Sequence, residues 1–167
     1  MSVNFHFTRV CNYGCHFCFH TNKNNDALAL EDMKLGLRRL REYGLAKINF
    51  SGGEPFLYAR DVLGPLVEFC KNELGKDLSV SIVSNGSKIT EAWLERYGKF
   101  VDILAISCDS TEAETNQRIG RTAKGQVDDQ GDIVRRVARW CEQYDVTFKL
   151  NTVQVNKKKK RKKKERR

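Results

Sequence analysis

Two hydrophobic periods alternate along this chain, and the alternation limits its fold more than any other feature. Ser2-Val3-Asn4-Phe5-His6-Phe7-Thr8 alternates polar and apolar side chains, which predicts a strand. Lys47 to Ser51, Leu78 to Val83, Val101 to Ser107 and Thr147 to Val153 predict four more. The run from Val101 is apolar enough for a strand buried on both faces. Between strands, Leu30 to Tyr43 repeats apolar residues at three- and four-residue spacing and stops at Gly44. Val62 to Leu74 does the same before Gly75, a helix capped by Thr90 runs to Tyr97, and Asp132 to Tyr144 is the last. Strands alternating with helices pack as a parallel α/β sheet with right-handed crossovers. No linker or repeat divides the body, so a single domain is expected over residues 1–156.

Ligands of such sheets bind beyond the carboxyl ends of the strands. Cys11 follows the first strand, Gly52-Gly53-Glu54-Pro55 the second, Asn85-Gly86 the third, and Ser107-Cys108-Asp109 ends the fourth. Composition narrows the class further. Hydrophobic residues make up 40% of the chain, enough for a core. No stretch approaches the ~20 apolar residues of a membrane span. Met1 to Arg9 carries Asn4, His6 and Arg9 instead of a signal peptide's apolar region. A cytoplasmic, reducing setting is expected, with the six cysteines as thiols or metal ligands. The net charge of +9 lies wholly in Lys157 to Arg167, ten basic residues and one acidic; the remainder balances 20 against 20. That tail repels itself and is expected to be disordered. Contact with nucleic acid or anionic lipid is its functional reading; an appended segment without a role is the plainer one and is preferred here.

Cys11-x3-Cys15-x2-Cys18 places three sulfurs on a short loop with Asn12 and Gly14. A closed zinc site needs a fourth ligand, for which His16 or His20 is near. A [4Fe-4S] cluster held by three thiolates keeps one iron open. Spacing alone leaves both alternatives standing, and Gly52-Gly53-Glu54-Pro55 by itself reads as an ordinary turn.

Taken together, Cys11-x3-Cys15-x-Phe17-Cys18 and Gly52-Gly53-Glu54-Pro55 resemble the radical S-adenosylmethionine (SAM) superfamily. Ser2 to Arg9, Cys18 to Thr21, Lys47 to Leu57, Val80 to Ser87 and Asp102 to Ser110 are similar to its viperin branch of nucleotide dehydratases. The resemblance runs from residue 2 to about residue 152 and implies a partial (βα) barrel of about five parallel strands. It implies that Cys11, Cys15 and Cys18 hold three irons, while the fourth chelates SAM. Gly52, Gly53 and Glu54 would meet the methionine amino group, Ser107 the ribose, and Phe17 the cluster or adenine; Arg121 and Asn151 would make further SAM contacts. Asn4, Lys47 and Lys149 would hold a nucleoside triphosphate, most simply CTP, with the lysines on its phosphates. The implied reaction is reductive cleavage of SAM to a 5′-deoxyadenosyl radical, which takes a ribose hydrogen. Loss of water then gives a 3′-deoxy-3′,4′-didehydro nucleotide that acts in antiviral defence. An unidentified electron donor would supply the electron.

The resemblance also implies what this chain lacks: a sixth strand, a C-terminal extension carrying a tyrosine hydrogen donor, and the membrane-binding N-terminal helix of animal viperins. Two alternatives therefore stand beside the enzyme: an inactive relative that still binds cluster and SAM, and a zinc-binding nucleic-acid module. Cys70, Cys108 and Cys141 sit on apolar faces and are expected to be core thiols, with Trp93 and Trp140 packed on the sheet. His16 and His20 are expected to be loop residues, and Asn85 to shape its turn.

Overall fold

The computed structural model describes residues 1–20 and 28–154. Five strands, β1 (Ser2–Thr8), β2 (Lys47–Gly52), β3 (Ser79–Ser84), β4 (Ile103–Ser107) and β5 (Thr147–Asn151), form one sheet in sequence order. Every neighbouring pair is parallel. Parallel neighbours need a crossover, and helices supply it: α1 (Leu30–Glu42), α2 (Gly64–Phe69), α3 (Glu91–Tyr97) and α5 (Gln130–Gln143), with a short α4 (Ala113–Arg118) after β4. The expected α/β class and strand count are observed.

Alternation along the strands sorts the two faces. Ile48, Phe50, Val80, Ile82, Leu104 and Ile106 are fully buried beneath the helices, joined there by Leu37, Leu66 and Leu94. Withdrawing each such side chain from water is worth about 1.5–3 kcal/mol. The opposite face is polar over β1 to β3, where Asn4, Asn49 and Ser81 stand side by side in register. Asn49 Nδ2 donates to Asn4 Oδ1 at 3.0 Å, and Ser81 Oγ to Asn49 Oδ1 at 2.9 Å. Strand β4 meets the expectation of two buried faces, with Ala105 buried opposite Leu104 and Ile106.

Most boundaries follow local chemistry. Thr90 Oγ1 accepts from Trp93 N at 3.3 Å and starts α3 as expected; Asp129 Oδ1 accepts from Asp132 N at 2.8 Å and starts α5. Gly44, at φ +86°, ends α1. Other segments depart from the reading above. The helix expected from Val62 begins at Pro55, as a 3-10 turn (Pro55–Tyr58) and a π turn (Ala59–Leu63) that run into α2. Glu54 caps it, accepting from Phe56 N at 3.0 Å. Phe56-Leu57-Tyr58 has no helical period, so pattern alone starts the helix late. Helix α4 escapes notice because Asn116 is its one buried residue. Strand β5 stops at Asn151, since Thr152 Oγ1 turns to Cys108 O (2.8 Å) and Val153 N to Asp109 Oδ1 (2.8 Å). No helix among the described residues is long and apolar enough to cross a membrane. The basic tail, 157–167, lies outside the described residues.

Candidate functional site

The carboxyl ends of the strands open onto a cavity of about 430 Å³. Cys11, Cys15 and Cys18 line it together with Phe17, Gly52, Gly53, Glu54, Ser107, Arg121 and Asn151. Every residue that the sequence reading marks for a cluster or for SAM thus meets in one place. Ser107 and Asn151 are register partners at the ends of β4 and β5. Asn4, Lys47 and Lys149 do not line this cavity. They lie on the polar face of the sheet below it: Lys47 opens β2, Asn4 pairs with Asn49, and Lys149 is in the middle of β5, two residues before Asn151.

Gly52-Gly53-Glu54-Pro55 has a second purpose besides backbone exposure. A Cβ on Gly52 would stand 2.3 Å from Thr8 O, and one on Gly53 would stand 2.0 Å from Val10 O. The glycines let the end of β2 lie against the chain that enters the cysteine loop. Gly53 N donates to Thr8 O (2.9 Å) and Glu54 N to Val10 O (2.8 Å), so the β1–β2 pairing extends up to Cys11. The Glu54 side chain is buried and faces inward. Its carboxylate accepts from Phe56 N (3.0 Å), Ser84 Oγ (2.7 Å) and Asn85 N (2.7 Å), which joins the ends of β2 and β3. Burial pushes the Glu54 carboxyl up, against three hydrogen bonds that favour its ionised form.

The cysteine loop is fastened on several sides. Asn12 Nδ2 donates to Ser87 Oγ (2.9 Å), and Asn85 Nδ2 to Asn12 Oδ1 (2.9 Å). Asn85 also makes the expected turn, accepting from Ser87 N at 2.9 Å. The Tyr13 hydroxyl donates to Asp128 and accepts from Gln130 Nε2 at 3.0 Å. Gly14 N donates to Thr122 O (3.1 Å), and His16 N to Ile119 O (2.9 Å). Tyr13 N approaches Cys11 Sγ at 3.4 Å, and Arg121 Nη1 approaches Cys15 Sγ at 3.8 Å. Burial pushes the Cys11 and Cys15 thiols up, while the Arg121 charge pulls against it at Cys15. Metal binding would displace those protons.

All six cysteines are free thiols. Among the described residues, no three His, Cys, Asp or Glu side chains gather closely enough to hold a single metal ion. A zinc ion needs such convergence, because all its ligands bond one atom. A cubane does not, since each thiolate takes a separate iron. The half-buried Cys11 and Cys15 and the exposed Cys18 all line the cavity, and three such thiolates fit that donor set. His20 does not complete a zinc site. Its Nδ1 accepts from Arg9 Nη1 at 2.8 Å, and its ring packs on His6 with centroids 4.7 Å apart. Cys70, Cys108 and Cys141 are buried as expected, and burial pushes Cys70 up to about 12 and Cys141 to about 11. Tyr13, Asp128 and Gln130 escape the sequence reading, and Asp109 enters it without a role. Asp109 alone carried a signal, its place at the end of a strand.

The sequence profile of the radical SAM superfamily matches residues 5–153, from the middle of β1 through the cysteine loop to the end of β5. The chain belongs to the radical SAM superfamily. It is 56% identical over 155 residues to the S-adenosylmethionine-dependent nucleotide dehydratase RSAD2 of Siniperca chuatsi, covering 91% of this chain and 42% of that protein. An archaeal S-adenosylmethionine-dependent nucleotide dehydratase, from Thermoplasmatales archaeon strain ISO4-H5, is 35% identical and is spanned over 53% of its length. The chain thus spans about half, or less, of these relatives. The likeness to viperin is borne out at the level of the radical SAM core. Among solved structures, TsrM, a radical S-adenosylmethionine methyltransferase from Kitasatospora setae with cobalamin and a [4Fe-4S] cluster bound, superposes with a TM-score of 0.72. The match covers 89% of this chain and 30% of that one at 14% identity, a likeness of fold alone.

Proposed function

We propose that this chain is the core of a viperin-like radical SAM nucleotide dehydratase. Cys11, Cys15 and Cys18 hold three irons of a [4Fe-4S] cluster, and SAM occupies the rest of the cavity. When bound, cluster and SAM together supply a one-electron cleavage that yields the radical which takes a hydrogen from the substrate ribose. The residues of the chain bind and aim. Gly53 O takes no hydrogen bond among the described residues and is free to accept from an amino group. Ser107 and Asn151, side by side, reach the ribose, Phe17 covers the cluster or adenine, and Arg121 turns its unused donors to SAM. Asn4, Lys47 and Lys149 hold a nucleoside triphosphate, with CTP the favoured substrate, on the polar face below. Two ammonium groups offset part of the charge of its phosphates. The product is a 3′-deoxy-3′,4′-didehydro nucleotide, and the role is antiviral defence in the cytoplasm.

One observation carries the reading: the residues marked for cluster and SAM all line a single cavity at the carboxyl edge of a parallel sheet. The polar face that would take the nucleotide continues directly from it. Anaerobic reconstitution followed by reduction in the presence of SAM and CTP tests it. About four irons per chain, release of 5′-deoxyadenosine, and a dehydrated nucleotide are expected. Release of 5′-deoxyadenosine with CTP left intact would overturn the substrate assignment. A fully loaded protein that releases none would overturn the enzyme assignment.

A further inference from the structure

We propose that Arg121 is a redox-positioning residue that holds an N–H against the Cys15 sulfur and raises the cluster's reduction potential, with Asp109 restraining its charge. This rests on the cluster reading above. The contact is built from the backbone outward. Gly14 N–Thr122 O (3.1 Å) and His16 N–Ile119 O (2.9 Å) bracket Cys15 on one side and Arg121 on the other, so the two residues share one rung between two loops. Arg121 N is itself fixed to Asn116 O at 2.9 Å.

The guanidinium is held through both terminal nitrogens, while its buried Nε has no partner among the described residues. Nη1 donates to Asp109 Oδ2 at 2.9 Å and lies 3.8 Å from Cys15 Sγ; Nη2 donates to Ser107 O. Asp109 is held in turn by Val153 N at 2.8 Å. Both side chains are 4% exposed, so neither can swing into water without leaving the other's charge buried and unpaired. The Tyr13 ring, 5.8 Å from the guanidinium carbon, lies beside it. The pair is neutral at a distance, yet it directs one polarised N–H at a cluster ligand. An added electron places more charge on the thiolate sulfurs, so a donor fixed there stabilises the reduced cluster more than the oxidised one.

Redox titration of the loaded full chain, without SAM, separates this role from a structural one. Asp109→Asn leaves the guanidinium uncompensated and is expected to raise the potential above that of the unsubstituted protein. Asp109→Asn with Arg121→Gln removes both charges together with the N–H at sulfur. Its reduced-to-oxidised ratio is expected to fall about tenfold at a fixed poise, about 59 mV for one electron. Arg121→Lys keeps the charge but cannot reach Ser107 O, Asp109 and Cys15 at once, and is expected to fall in the same direction. Should the double variant fail to load iron, Arg121→Lys decides. An unchanged potential in whichever of these two loads, or no rise in Asp109→Asn, would overturn the proposal. Failure of the unsubstituted chain to load a cluster would overturn the cluster reading instead.

Discussion

Gly53→Ala tests whether the end of β2 sets the cysteine loop. The added methyl would stand 2.0 Å from Val10 O, 2.5 Å from Val10 C and 2.8 Å from Arg9 C, all backbone atoms that cannot rotate away. The strand ends must separate, and Glu54 N–Val10 O (2.8 Å) and Gly53 N–Thr8 O (2.9 Å) are the bonds that give first. Overpacking costs about 1–3 kcal/mol, and each lost backbone bond about 1 kcal/mol more. A loss of roughly 3–5 kcal/mol follows from these two terms. Gly36→Ala is the matched control: nothing lies within 4 Å of its added methyl, in the exposed middle of α1. It is expected to stabilise by about 0.5–1 kcal/mol through helix propensity. Urea unfolding of the metal-free chain reads both changes, and iron uptake reads the loop. Cys11 follows Val10 directly, so Gly53→Ala is expected to lose most of its iron while Gly36→Ala keeps it. An unfolding midpoint for Gly53→Ala at or above that of the parent would refute the reasoning.

Replacing Cys15 with Ala is expected to collapse iron content, whereas Cys70→Ala, buried in the core away from the cavity, leaves iron nearly unchanged and costs stability only; equal iron losses would mean that the wrong thiols were chosen. His6 and His20 are held below the usual imidazole range by burial first; Arg9 adds to this at His6, and His6 and then Arg9 add to it at His20. Their neutral forms are favoured in the folded chain, so unfolding takes up protons as pH drops below about 6.5 and stability falls there. A metal-free chain whose urea midpoint does not fall between pH 7.5 and pH 5.5, or whose fall is not reduced by His20→Gln, would contradict this.

The parts of the fold that period and caps dictate were legible in the chain. Strand β1 matches its expected bounds because its alternation is unbroken, and α3 starts at Thr90 because a threonine before a helical run leaves few other readings. The cavity residues were legible through motif and resemblance together. What stayed hidden depends on long-range meetings. Asp128 and Gln130 lie more than a hundred residues from Tyr13, and only the return of α5 beside the cysteine loop brings them to its hydroxyl. Glu54 is expected at SAM through the end of β2; that its carboxylate also accepts from Ser84 and Asn85 is something no local pattern foretells. Sheet faces were half legible: the buried side follows from Ile48 and Phe50, while the polar side became clear only when Asn4, Asn49 and Ser81 stood in register.

The anchors of the cysteine loop come from elements far apart in sequence, and this bears on when a cluster can bind. Ser87 and Asn85 follow β3, Thr122 and Ile119 follow α4, and Asp128 and Gln130 lie around the start of α5. At about 1 kcal/mol for each satisfied bond, no single contact fixes the loop, but together they oppose its backbone entropy of roughly 1–2 kcal/mol per residue. Closing the loop therefore requires β3, β4 and the start of α5 to be in place. A cluster cannot meet three prearranged thiols until most of the sheet has formed. Binding energy at the cysteines is then folding energy for the whole described body, and cluster loss should loosen α4 and the start of α5 along with the loop itself. Hydrogen exchange on loaded and metal-free protein would show this as protection lost at Gly14 and His16, whose amides donate across these loops, and at Arg121, whose amide donates back to Asn116 O in α4. Loss confined to the cysteine loop would mean that the anchors do not couple it to the sheet.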